Sequence, residues 1–278
     1  MYPSLPVSLA RGMRAVGTSP ALLVTTFLGA LGLWLAYSAY GVDLAASPSG
    51  MILLESLPPL QSFLDVQLLA AGRPAASSTI IGLGLGVMAF RALLVMVWIT
   101  LILRSLRGDG PEDATDAPSN RQGIRKYPVM LGIQAVLLML MFAALAVAPA
   151  FLGAQLGQLG VIVSLLAGIY FLVFAPVIAV TEGAGLRESF RLSVRAARIP
   201  GPRHMILTFS YVAFSLFILA TAPVSPLFEA TPSIVVWLYA LFVAFIHVSV
   251  LAALTFRWLF VREHVLQEAS SASSSRRG

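Results

Sequence analysis

Six separate stretches of this chain run for about 18 to 25 residues without one Asp or Glu, at about 21–40, 79–103, 128–151, 159–180, 205–222 and 234–257. A helix rises about 1.5 Å per residue, so roughly 20 apolar residues cross the ~30 Å hydrocarbon core of a bilayer. No other feature constrains the fold as strongly. An ordinary soluble domain has about a quarter of its residues charged. Here 11% of the 278 residues are charged and 58% are apolar, with a mean hydropathy of +0.89. Within lipid, every backbone N–H and C=O must find its partner inside the segment, which leaves the helix as the form such stretches take. The sequence therefore predicts an all-α polytopic bundle of six transmembrane helices, a single membrane domain over 1–268. An even number of crossings returns both termini to one side.

The charges say which side. Of 18 Lys and Arg, 16 fall in segments that an alternating path gathers on one face: Arg11 and Arg14; Arg104, Arg107, Arg121, Arg125 and Lys126; Arg187, Arg191, Arg195, Arg198 and Arg203; Arg257, Arg262, Arg276 and Arg277. Only Arg73 lies opposite, and Arg91 sits inside a span. The positive-inside bias places both termini in the cytoplasm and makes the net charge of +6 a topology signal, so no nucleic acid is expected as a partner. Arg11 and Arg14 precede an apolar run as they would in a secretory signal. The run from Ala21 to Tyr40 exceeds the usual core of about 7–15 residues, so it reads as a retained helix. Outside, residues 41–78 include MILLESLPPLQSFLDVQLL, apolar enough to lie on or dip into the interface, with Pro58-Pro59 preventing a full span. Inside, RGDGPEDATDAPSNRQG makes 104–127 a flexible loop whose Asp109, Glu112, Asp113 and Asp116 read as solvated charge, not a metal site. The tail EASSASSSRRG predicts disorder over 269–278.

The most polar run in the second half is TEGAGLRESFRLSVRAARIPGPRHM, residues 181–205, with five arginines. At about 100° per residue, Leu186, Phe190, Val194 and Ala197 share one face of a helix, and Arg187, Arg191, Arg195 and Arg198 form a stripe beside it. Attached after the fourth span, such a helix is expected in the headgroup layer with its apolar edge down. Its arginines would then face anionic lipid headgroups, at about 1 kcal/mol each. Two other readings are a loop whose arginines only set topology and a docking face for a cytoplasmic protein. Pro200, Gly201 and Pro202 end the helix.

The run FAPVIAVTEGAGLRESFRLSVRAAR joins Pro176 in the fourth span to Glu182, a glycine turn, and a helix carrying Ser189, Phe190, Arg191 and Ser193. Over about 30 residues it resembles the multi-pass membrane module fused to some glycerophosphoryl diester phosphodiesterases, and related, largely uncharacterised prokaryotic six-helix membrane proteins. The resemblance implies a six-helix body in a prokaryotic cell (plasma) membrane, with no catalysis assigned to the module. No stretch here is long enough for the barrel of that enzyme. There is also an internal echo: SLARGMRA before the first span and SFRLSVRA before the fifth both place Ser six residues ahead of Arg-Ala, and GIRKYP precedes the third, suggesting repeated hairpins.

Polar residues within the spans are the remaining candidates. Arg91 costs about 2.5–3.5 kcal/mol at a helix centre. The 13 Leu, Ile, Val and Phe residues between Ile80 and Ile102 outweigh that at about 0.3–0.6 kcal/mol each. Its possible neighbours are helix-end carbonyls, a water-filled cleft, or Glu55 and Asp65 if the external loop dips inward. It reads either as an anion or lipid-headgroup site or as a structural arginine in a packed bundle. His247, in the last span, reads as a helix–helix hydrogen bond, because His204 and His264 stand at helix ends and form no ligand cluster with it. In GLGLG (82–86), Gly82 and Gly86 lack nucleotide-loop spacing and predict a small-residue face for close helix approach. Pro176 joins them as a packing residue.

The chain has no cysteine, which excludes disulfides and thiolate ligation. No H-E-x-x-H, G-x-S-x-G or Walker motif occurs either, so no catalytic residue, metal or cofactor is expected. The expected function is a non-enzymatic, lipid-associated membrane organiser or sensor, with a homo-oligomer or a cytoplasmic protein as possible partners. The rival is the permease-like membrane subunit of a transporter. E-G-A at 182–184 is similar to the Glu-Ala-Ala opening of ABC-importer coupling helices, but Gly183 replaces the first Ala and Glu188 stands where that motif has Gly.

Overall fold

The computed structural model describes residues 3–39, 61–62, 65–66, 77–107, 126–199, 202–221 and 233–274. Among them every bounded element is a helix and no strand occurs: α1 (Leu5–Thr18), α2 (Pro20–Ala39), α3 (Ser77–Arg107), α4 (Tyr127–Leu172), α5 (Ala175–Thr181), α6 (Leu186–Arg198), α7 (Pro202–Thr221) and α8 (Ser233–Ser274). Five helical stretches are long and apolar enough to cross a membrane: Pro20–Tyr37, Ile81–Leu106, Tyr127–Phe151, Leu156–Thr181 and Trp237–Glu268. In α7 the described residues supply a shorter apolar stretch, His204–Ser215.

The distribution of polarity supports lipid as the solvent. Phe151 is 83% exposed and Ile234 66%, while Arg91, Asp65 and Gln61 are buried. Such a distribution would be costly in water and suits hydrocarbon, where an apolar exterior costs nothing. The main core joins Ile99 and Ile102 of α3, Met130 and Ile133 of α4, Phe174, Val177 and Leu192 of the α4–α6 region, and Leu254 and Trp258 of α8.

Two of the predicted spans are the arms of one element. α4 turns back on itself at Gly153, whose φ of 75° and ψ of 170° belong to the region that only glycine occupies readily. Four residues to either side, a Cβ at Gly157 would collide with the Pro149 backbone, so glycine also lets the arms close. Further along the hairpin, Met141 Cε lies 3.0 Å from where Gly168 would carry a Cβ.

The N-terminal arginine segment is a helix in its own right. α1 buries Ser8, Gly12, Ala15 and Val16 and packs most extensively on α8. A Cβ at Gly12 would strike the Ser249 carbonyl and the Ala253 amide, so here the backbones of two helices meet. Ser105 Oγ donates to the Ala15 carbonyl at 2.8 Å, tying the end of α1 to α3. α6 buries Ser189, Leu192, Ser193, Ala196 and Ala197. The echo between SLARGMRA and SFRLSVRA thus has a structural counterpart, because the buried residues 8, 12, 15 and 16 match 189, 193, 196 and 197 in register.

Three expectations change. Gly82 and Gly86 meet nothing within 4 Å and are exposed. No helix among the described residues approaches them; the close approaches fall at Gly12 and at Gly29, which faces Leu94. Of the tail expected from 269, the residues through Ser274 continue α8. Its Glu and Ala residues favour helix and no Gly or Pro intervenes. Of the expected flexible loop 104–127, residues through Arg107 belong to α3 and Tyr127 begins α4, while 108–125 lie outside the described residues. Most of the external loop 41–76 and residues 275–278 lie outside them too.

Candidate functional site

The basic helix α6 is held by a socket built from the preceding motif. Pro176 has no N–H to return to the Leu172 carbonyl, and the helical ladder is interrupted at Val173–Phe174 between α4 and α5. An exposed carbonyl in a bilayer needs another donor. Ser193 Oγ of α6 donates to the Phe171 carbonyl at 2.7 Å. His204 Nε2 of α7 lies 3.0 Å from the Tyr170 carbonyl; a carbonyl only accepts, so this ring nitrogen carries the proton. Tyr170 in turn donates its hydroxyl to the Ala197 carbonyl at 3.1 Å, and His204 stacks on Phe174 at 4.9 Å. The carbonyls that fasten α6 and α7 to α4, Phe171 and Tyr170, lie just ahead of this break.

The acid–glycine turn completes the socket. Trp258 Nε1 of α8 donates to Thr181 Oγ1 at 2.8 Å and to Glu182 Oε1 at 3.0 Å. Gly183 adopts φ 64°, the left-handed conformation that reverses the chain after α5. Lys126 Nζ donates to the Gly183 carbonyl. Glu182 thus serves to dock Trp258, a completely buried side chain.

This fastening corrects the expected orientation of α6. The helix docks on the protein through Ser189, Leu192, Ser193, Ala196 and Ala197, and of the expected apolar edge only Ala197 belongs to that buried face. Leu186 is exposed, while Phe190 and Val194 are half-buried at the flank. Serine scores as polar, yet a serine whose hydroxyl meets a freed carbonyl buries well. Arg187, Arg191, Arg195 and Arg198 lie on the opposite side of the wheel, about 170° from the centre of the buried face. Arg187 and Arg198 are exposed. Arg191 Nη2 reaches Glu188 Oε1 at 2.6 Å, an exposed i,i+3 pair. Arg195 is half-buried, and its Nη1 has no hydrogen-bond partner among the described residues.

Arg91 faces a carboxylate. Asp65, from the segment between α2 and α3, meets it in a fork: Nε to Oδ2 at 2.6 Å and Nη2 to Oδ1 at 2.7 Å. Tyr37 of α2 donates its hydroxyl to Asp65 Oδ1 at 2.9 Å. Both members of the pair are almost fully enclosed, with side chains 2% and 5% exposed. Gln61, Ser62 and Val66 are buried as well, and the spacing 61, 62, 65, 66 suits one face of a helix. Residues 61, 62, 65 and 66 of the segment between α2 and α3 therefore lie inside the bundle, and Arg91 has its counter-ion within the protein. An external anion would have to displace Asp65. Sequence reasoning gave Asp65 only as one candidate partner and did not mark Tyr37.

His247 of α8 meets α7, with Nδ1 2.7 Å from the Tyr211 hydroxyl. Among the described residues no three His, Asp or Glu side chains group as a metal would require. No family model, curated protein or solved structure matches the chain. The site rests on its geometry.

Proposed function

We propose that this chain is a non-enzymatic integral membrane protein of the cell membrane, threaded six times with both ends inside. In this reading α7 supplies the sixth crossing, and the protein organises or senses anionic lipid through the arginine face of α6. The single observation that carries it is the two-sidedness of α6: its small and polar face is fixed to the bundle, while Arg187, Arg191 and Arg198 are exposed. A helix locked on one side by Ser193, Tyr170 and Leu192 spends its cationic side outside the molecule. Next to a bilayer, the abundant anionic chemistry is phosphate. The motif that resembles the phosphodiesterase-associated membrane module is compatible with this reading: Ser193 bonds α6 to α4 beside the Pro176 break, and Glu182 and Gly183 tie the turn ahead of α6 to Trp258 and Lys126.

Purified protein offered equal amounts of phosphatidylglycerol and phosphatidylcholine should retain the anionic lipid in excess. The double variant Arg187→Gln/Arg191→Gln should lower that excess severalfold, at about fivefold for each arginine that faces phosphate. An unchanged lipid ratio would reject the reading, and recovery of an ATPase subunit in stoichiometric amount would replace it with the transporter reading.

A further inference from the structure

Beside α6 the two arms of the α4 hairpin leave a groove of about 700 Å³, within the range of small-molecule sites, about 300–1,000 Å³. One wall is Leu140, Ala144 and Val147, and the other includes Ala167, Gly168 and Phe171. Both walls belong to stretches apolar enough to cross a membrane, Tyr127–Phe151 and Leu156–Thr181. The neighbouring Phe142 and Val163 are 62% and 63% exposed, so this flank looks onto whatever surrounds the bundle. Small residues leave the hollow open: Ala143, Ala144, Ala167 and Gly168 line it where larger side chains would fill it. Its α6 side is formed by Val194 and Arg198. Arg198 is exposed and makes no hydrogen bond or ion pair among the described residues.

The chemistry of the walls selects the occupant. An apolar channel between two membrane-crossing arms takes hydrocarbon, and a single unpaired guanidinium at its α6 end takes an anion. One molecule abundant in a bilayer carries both in the right order. We propose that the groove binds one anionic phospholipid, an acyl chain between the arms of α4 and its phosphate on Arg198. This deepens the lipid-associated reading and rests on it. It adds a defined site with one lipid per chain to a diffuse attraction at the arginine face. The site also explains why alanine and glycine line this stretch of the hairpin, where leucine would fill the hollow.

Native mass spectrometry with phosphatidylglycerol and phosphatidylcholine of equal chain length tests the proposal. The expected result is one phosphatidylglycerol that survives delipidation of the unaltered protein. Arg198→Ala should reduce the preference for it about fivefold, and Ala143→Trp should abolish retention of either lipid. A diazirine in the acyl chain of phosphatidylglycerol should label residues 140–147 and 164–172; that measurement uses the unaltered chain and does not depend on a variant folding. Labelling spread evenly over other exposed apolar positions such as Phe209 and Phe217 would overturn the site. So would a tightly held lipid that persists unchanged in Ala143→Trp, equal retention of phosphatidylcholine, or a second copy of the chain cross-linked across Val147. The two readings fail separately. If only the groove is wrong, Arg187→Gln/Arg191→Gln still lowers the anionic excess while no label enters the hairpin. If the lipid reading itself is wrong, neither signal is present.

Discussion

At the scale of single residues, the ion pair of Arg91 and Asp65 has the largest energetic consequence. Removing one member of a buried pair leaves the other as an uncompensated charge, a loss of about 3–5 kcal/mol, whereas replacing both by apolar groups is often neutral. Arg91→Leu alone should therefore lower the unfolding midpoint in detergent sharply, and Arg91→Leu/Asp65→Leu should recover most of the loss. A double variant no more stable than Arg91→Leu would show that the two do not interact. Tyr37→Phe removes one hydrogen bond to a charged acceptor and should cost about 1.5–3 kcal/mol in the same assay. Arg91 stood out in the sequence because a charge in an apolar run is conspicuous. Its partner was harder to read because Asp65 lies in a segment too interrupted by Pro58-Pro59 to count as a span, and only the folded chain brings it to α3.

At the scale of elements, the bound carbonyls of the α4–α5 break decide how α6 sits. Ser193→Ala leaves the Phe171 carbonyl without its 2.7 Å donor, a loss of about 1–3 kcal/mol where no water replaces it. Thermal unfolding of Ser193→Ala against Ser210→Ala, an exposed serine of α7, should show the difference; equal midpoints would mean that the carbonyl finds another partner. Gly12→Val should detach α1 from α8, because its side chain would occupy the place of the Ser249 carbonyl. Proteolysis near the N-terminus should then accelerate, and an unchanged digestion pattern would contradict the close contact. The spans were legible because apolar length is a one-dimensional property. The buried faces of α1 and α6 were less so, since serine, glycine and alanine pack by smallness and by hydrogen bonding, which hydropathy does not register. The repeat of Ser and Arg-Ala in both helices was visible, but burial was needed to show what it repeats. At the paired glycines 82 and 86 no described residue lies within 4 Å, because small spacing permits an approach but does not by itself bring a helix there.

At the scale of the whole molecule, five apolar helical stretches, a lipid-suited exterior and an apolar core that encloses a few paired polar side chains describe a membrane-embedded bundle. Its directionality and its sixth crossing belong to the charge argument. All the arginines of α6 lie in one inter-span segment, so the proposed function needs that segment on the inner leaflet. The chain has no cysteine, and a single introduced thiol reports its side without background. The decisive measurement is labelling of intact cells with a membrane-impermeant maleimide, using Arg187→Cys for α6 and Ser49→Cys for the opposite loop. The account predicts that Ser49→Cys reacts from outside and that Arg187→Cys reacts only after the membrane is opened. Reaction of Arg187→Cys in intact cells would put the arginine face on the wrong side and contradict it.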